Sequence, residues 1–170
     1  MTSINAARRT QRTAALLDLA QLGYAQWLFG NVYEAVVRVP DLLSAELSDT
    51  DGRGGSILGP GSPVRYYLLA PPVALVGTVG AVINGLGNPR SRRWLTVSAG
   101  CGVAGAALTG YVVRKVNLKL FFAAEPPPPA ERDALLRIWY RVNALRTAAV
   151  GGAVFATLCA KQASLKSATT

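Results

Sequence analysis

The spacing of apolar and polar positions predicts four helices. The first runs from about Thr13 to Arg38 and stops short of Pro40, since proline disfavours helix at the residue before it. The second covers about Pro63 to Leu86; Pro71 and Pro72 in its first half predict a kink or local break. The third runs from Trp94 to about Phe121, and the fourth from about Ala130 to Lys161. Between the first two, Pro40 to Pro63 reads as a loop, with turn chemistry in DTDGRGGS and GPGSP. NPRSRR, Asn88 to Arg93, reads as a short basic turn, and EPPPP, Glu125 to Pro129, as a stiff spacer.

Two of these segments contain long uncharged stretches, Tyr66 to Asn88 and Leu95 to Val113. At ~1.5 Å per residue each can cross the ~30 Å hydrocarbon core of a bilayer. Small residues recur at every fourth position in the third helix (Ser98, Gly102, Ala106, Gly110) and the fourth (Ala144, Ala148, Gly152, Ala156, Ala160). A shorter row, Gly77, Ala81 and Gly85, lies in the second. Such rows let membrane helices approach closely. The fold class expected is all-α: a four-transmembrane-helix up-down bundle, with residues 1–170 as one integral membrane domain.

Composition agrees. The chain is 51% hydrophobic, yet its 18 Lys and Arg against 9 Asp and Glu give a net charge of +9. The basic residues flank apolar spans instead of lining one soluble face, which argues against a nucleic-acid partner and for a lipid bilayer. Arg8, Arg9 and Arg12 before an apolar stretch resemble a signal peptide. However, Asp18, Gln21 and Gln26 interrupt that stretch, and it reads as a retained first helix. The basic start and the NPRSRR turn place both termini on the cytoplasmic side of a multi-pass protein, taken here as one of a bacterial cytoplasmic membrane. With two cysteines and no histidine, a zinc site of soft ligands is not expected, and neither metal nor cofactor is assigned.

The polar residues inside the helices carry the candidate chemistry. On a helical wheel Trp27, Asn31, Glu34, Arg38 and Asp41 share a stripe, and Glu34 and Arg38 have the spacing of an ion pair. Gly110, Arg114, Asn117 and Phe121 share a face of the third helix, and Trp139, Asn143 and Arg146 a face of the fourth. Up-down-up-down folding brings these stripes to one end. It gathers Asn31, Glu34, Arg38, Arg65, Arg114, Asn117, Trp139, Tyr140, Asn143 and Arg146 into a pocket at one mouth of the bundle. Ionisable groups within a span cost a few kcal/mol and therefore mark either function or an internal ion pair.

The second half, VNLKLFF followed by a Pro-rich linker and ERDALLRIWYRVNALRTAAVGGAVFATL, resembles the anthrone oxygenase-like family of small four-helix membrane proteins. Asn117, Leu136 or Arg137, Trp139, Asn143, Arg146 and Thr147 carry the resemblance, over about 45 residues; Asn143 stands where some members have histidine. The resemblance implies oxidation of a lipophilic polyketide-type aromatic substrate without metal or flavin. In such a scheme Glu34 is the base, Arg114 and Arg146 hold the oxyanion, and Asn143 completes the catalytic set. Asn31, Arg38 and Asn117 bind and orient substrate, with Trp27, Trp139 and Tyr140 as aromatic walls. Two other readings stand beside it. One is a cyclase or isomerase of a prenylated compound, with Glu34 as acid. The other is a non-enzymatic membrane protein that binds a lipid headgroup or partner at the basic rim of Arg65, Arg114, Lys115 and Lys119.

Overall fold

The computed structural model describes residues 2–49, 68–123 and 125–166, with side chains from residue 8 onward and only to residue 44 in the first of these stretches. Among the described residues the chain is all-helical: α1 (Thr2–Val36), α2 (Val39–Asp49), α3 (Ala70–Gly85), α4 (Pro89–Phe121) and α5 (Pro129–Lys166).

Several boundaries differ from expectation, each for a local reason. α1 starts earlier and ends at Val36, and Arg38 takes a left-handed backbone with φ 58°. That turn closes onto α2, where the amides of Asp41 and Leu42 bond back to the Arg38 carbonyl. The first part of the expected loop is therefore helix: Pro40 suits a first turn, where its missing N–H is no loss, and Asp41 there favours the helix dipole. The remaining loop residues, 50–67, and with them the start of the expected second helix and Arg65, lie outside the described residues. Pro71 and Pro72 do not kink α3; they open it. NPRSRR is not a turn but the start of α4. Asn88 caps it, its Oδ1 accepting from Arg90 N at 3.0 Å, and Pro89 follows in the first turn. Asn88→Ala is expected to lower stability by about 1 kcal/mol in chemical unfolding.

α1, α3, α4 and α5 close a ring in which each packs on two neighbours. Neighbours run antiparallel. Gly23 meets Ala70 and Ala74 while Gly77 meets Ala20; Gly152 meets Cys101 while Val150 meets Gly105; Asp18 pairs with Lys161 while Glu34 pairs with Arg146. The up-down-up-down order is thus present. α2 lies across one end, touching α1, the end of α4 and the start of α5.

The buried seam alternates steps of four and three. On α1 it runs Thr13, Leu17, Ala20, Tyr24, Trp27, Asn31; on α5, Trp139, Asn143, Arg146, Val150, Ala153, Thr157, Ala160, Ser164. A mean period of 3.5 keeps one face turned inward along a long helix. The expected every-fourth rows are correct only in part: Ser98, Gly102, Gly77, Ala81, Gly85, Ala156 and Ala160 are buried, but Gly110, Ala144 and Ala148 are exposed. Mid-bundle, small residues point inward. Leu22, Phe29, Val79, Ile83, Val103, Leu145 and Phe155 point outward and are exposed. α4 and α5 are long and apolar enough to cross a membrane, and most of their apolar stretch is not buried by the protein itself. α3 is also apolar, but its 16 residues span only ~24 Å.

Candidate functional site

The seam turns polar at the end where α1 finishes and α5 begins. There the helices surround a half-open cavity of about 180 Å³. Trp27, Asn31 and Glu34 line it from α1, and Thr109, Val113, Asn117 and Phe121 from α4. Trp139 and Arg146 line it from α5, Pro71 from α3, and Val39, Pro40 and Leu43 of α2 cover it.

Arg146 organises one wall. Its side chain is only 8% exposed, and its Nη2 donates to Glu34 Oε2 at 3.1 Å; Glu34 is 17% exposed. Nε and Nη2 also donate to Asn143 Oδ1 at 3.1 and 2.6 Å, and the guanidinium lies 6.0 Å from the Trp139 ring centre. Asn143 in turn donates from Nδ2 to the Asn31 carbonyl at 2.9 Å, tying α5 to α1. Burying an ion pair costs desolvation at both ends, so extra hydrogen bonds such as these are what make it tenable.

Two amide atoms at the cavity have no partner: Asn31 Nδ2, on a residue 3% exposed, and Asn117 Oδ1. An unmade buried hydrogen bond costs about 1–3 kcal/mol. Both belong to residues that line the cavity, one a donor and the other an acceptor. Asn117 closes a π-helical turn, Val113–Asn117, in which Leu118 N bonds back to Val113 O. Such wide turns recur at functional sites. Here the turn shifts the register of α4, so that Thr109, Val113 and Asn117 face the cavity while Val112, Val116 and Leu120 pack with Leu135 and Trp139 beside it.

The structure brings together six of the expected residues as cavity lining: Trp27, Asn31, Glu34, Asn117, Trp139 and Arg146. Asn143 stands behind Arg146 as a positioning residue. Arg38 does not pair with Glu34. It is exposed beyond the end of α1 and bonds Asp41 at 2.9 Å, a contact that raises its pKa above the usual arginine value. Tyr140 is not a cavity wall; its hydroxyl donates to Asp41 and its ring meets Trp139 edge-on. Arg114, expected at the oxyanion, is exposed and does not line the cavity, because the π turn carries its side chain past that face.

No family model, curated protein or solved structure matches the chain. The case for a site therefore rests on its geometry.

Sequence reasoning missed Thr109 and the roof residues Val39, Pro40 and Leu43. It also missed a polar cluster halfway along the seam. The Tyr24 hydroxyl lies fully buried, 3.0 Å from Thr78 Oγ1, and the ring stacks at 6.4 Å on Trp27 at the cavity wall. A Cβ on Gly102 would lie 2.2 Å from that hydroxyl. The signal was available: Tyr24, Trp27 and Asn31 follow the same three-four spacing.

Proposed function

We propose that the chain is a multi-pass membrane protein, with α1, α3, α4 and α5 as spans and both termini cytoplasmic. Its cavity binds the polar end of a lipophilic aromatic molecule. The observation that carries this is the pair of orphaned amide atoms beside a buried Glu34–Arg146 pair, inside a bundle whose outer surface is apolar. A cavity of about 180 Å³ is close to the ~150 Å³ that holds a single benzene-sized ring. A larger substrate would project from it along the helices.

The chemistry proposed is oxygenation without a cofactor, in line with the resemblance to the anthrone oxygenase-like family. Glu34 takes a proton from an acidic C–H or O–H of the substrate. The electron pair stays on the substrate as a carbanion in resonance with its phenolate; its carbon bonds to dioxygen, the proton held by Glu34 returns to the resulting hydroperoxide, and O–O cleavage with loss of the remaining C–H proton leaves the ketone and one water. Before the step, Arg146 balances the Glu34 carboxylate; after it, Glu34 is neutral and Arg146 is available to the substrate anion. Charge thus shifts within the pocket without a net unpaired charge forming. The acid reading for a prenylated substrate fits less well, because a guanidinium 3.1 Å away is a partner for a carboxylate and not for a proton donor. Binding without turnover is favoured by one observation, the several-fold anchoring of Arg146, which also suits a structural counter-ion.

With anthrone as probe, Glu34→Gln is expected to lower oxygen uptake by about 10²–10⁴-fold, the usual reach of a general base, while anthrone still binds. Unchanged oxygen uptake would remove Glu34 as base. Anthrone binding without uptake in the native protein selects the binding-only reading.

A further inference from the structure

At the opposite end of the bundle, α4 begins and α5 ends around a second, open cleft of about 390 Å³. Arg90, Trp94, Cys159, Gln162 and Lys166 line it. Two cations, an amide and an indole converge on one opening. Trp94 is half-buried, held edge-on by Phe155 at 5.8 Å, with the Arg93 guanidinium 4.7 Å from its ring centre. Arg8, Arg9, Arg12, Arg92 and Arg93, all exposed, stand near the ends of α1 and α4 on this side of the bundle. The N-terminal end of α4 favours an anion and the last carbonyls of α5 disfavour one, so the two helix ends offset each other and recognition falls to the two cationic side chains.

We propose that this cleft seats the phosphodiester headgroup of an anionic phospholipid, with Arg90 and Lys166 on the phosphate, Gln162 on its polar substituent and Trp94 at the level of the acyl carbonyls. The proposal rests on the membrane reading above. Basic clefts between helix ends bind such headgroups, and tryptophan prefers that interfacial depth. The cleft lies at the far end from the Glu34 cavity, so lipid binding and anthrone chemistry are separable.

The test uses the full chain purified in mild detergent, with bound lipid read by native mass spectrometry. Phosphatidylglycerol is expected to remain bound where phosphatidylcholine does not. Arg90→Gln with Lys166→Gln should weaken retention about 25-fold, about fivefold per cation. Arg8→Gln with Arg12→Gln, at the same end of the bundle but outside the cleft, should change it little. If the first pair fails to fold, Arg90→Lys with Lys166→Arg keeps the charge and should keep the lipid. Phosphatidylglycerol should also shield Cys159 from maleimide more than Cys101, which lies against Gly152 away from the cleft. Equal retention of the two lipids, or loss that is the same for the Arg8 and Arg12 variant and the cleft variant, overturns the proposal. Displacement of the lipid by millimolar inorganic phosphate also overturns it, in favour of a free-anion site. Carbonate extraction of membranes tests the underlying reading separately: a chain released as soluble protein removes the membrane assignment whatever the lipid result.

Discussion

Arg146→Met is expected to cost about 3–5 kcal/mol of folding stability, the usual penalty for stripping one member from a buried ion pair. The loss comes from what remains. Glu34 would be left 17% exposed and without its cation, and Asn143 Oδ1 would lose both donors from Arg146. The double variant Glu34→Gln with Arg146→Met is expected to recover most of the loss, because a neutral amide beside a thioether leaves no uncompensated charge. Glu34→Gln alone should fall between, since it keeps a hydrogen-bond acceptor for Arg146. The measurement is the unfolding midpoint in a detergent titration across the four-member cycle. Additive single effects would show that the two side chains do not share a buried environment. The same cycle separates fold from function: the double variant should fold and yet consume no oxygen with anthrone.

Much of this site is legible as spacing, and its failures are also geometric. Trp27, Asn31 and Glu34 are separated by four and three, as are Trp139, Asn143 and Arg146, and regular helix places each set inward. Arg38 continues the same arithmetic but falls beyond Val36, where the left-handed turn ends the helix that the arithmetic assumes. Arg114 fails for a related reason. A wheel of constant rotation cannot foresee the π turn, which rotates less per residue than an α-helix between Val113 and Asn117 and turns the cavity row to Val113. The small-residue rows drift because every-fourth positions rotate by ~40° per step, so Ala144 and Ala160 cannot share one face. The seam of alternating four and three steps corrects that drift and buries Ala160 while Ala144 stays outside. α2 was hidden by its own composition, since a proline and acids beside two leucines read as loop until the chain is seen folded over the cavity.

A second large effect is expected at the crossing of α1 and α3, where the bundle has no room for a methyl group. A Cβ on Gly77 would sit 2.6 Å from Ala20 N and 2.9 Å from its Cα; one on Gly23 would sit 2.5 Å from Ala74 N and 2.8 Å from its Cα. These neighbours are backbone, so no side-chain rotation relieves the clash and the helices must separate. Gly77→Ala is expected to cost about 1–3 kcal/mol, the range for overpacking, and Gly77→Leu to prevent the bundle from closing. Gly110→Ala is the matched control: it lies in α4 with nothing within 4 Å, so it should be neutral or gain up to ~1 kcal/mol from helix propensity. Equal thermal midpoints for Gly77→Ala and Gly110→Ala would show that the close crossing is absent. The consequence reaches the cavity. Gly23 lies one turn before Trp27, and Ala70 and Ala74 flank Pro71, so the crossing sets the distance between two cavity walls. Anthrone binding should therefore weaken in Gly77→Ala even under conditions where the protein stays folded, and should be unchanged in Gly110→Ala.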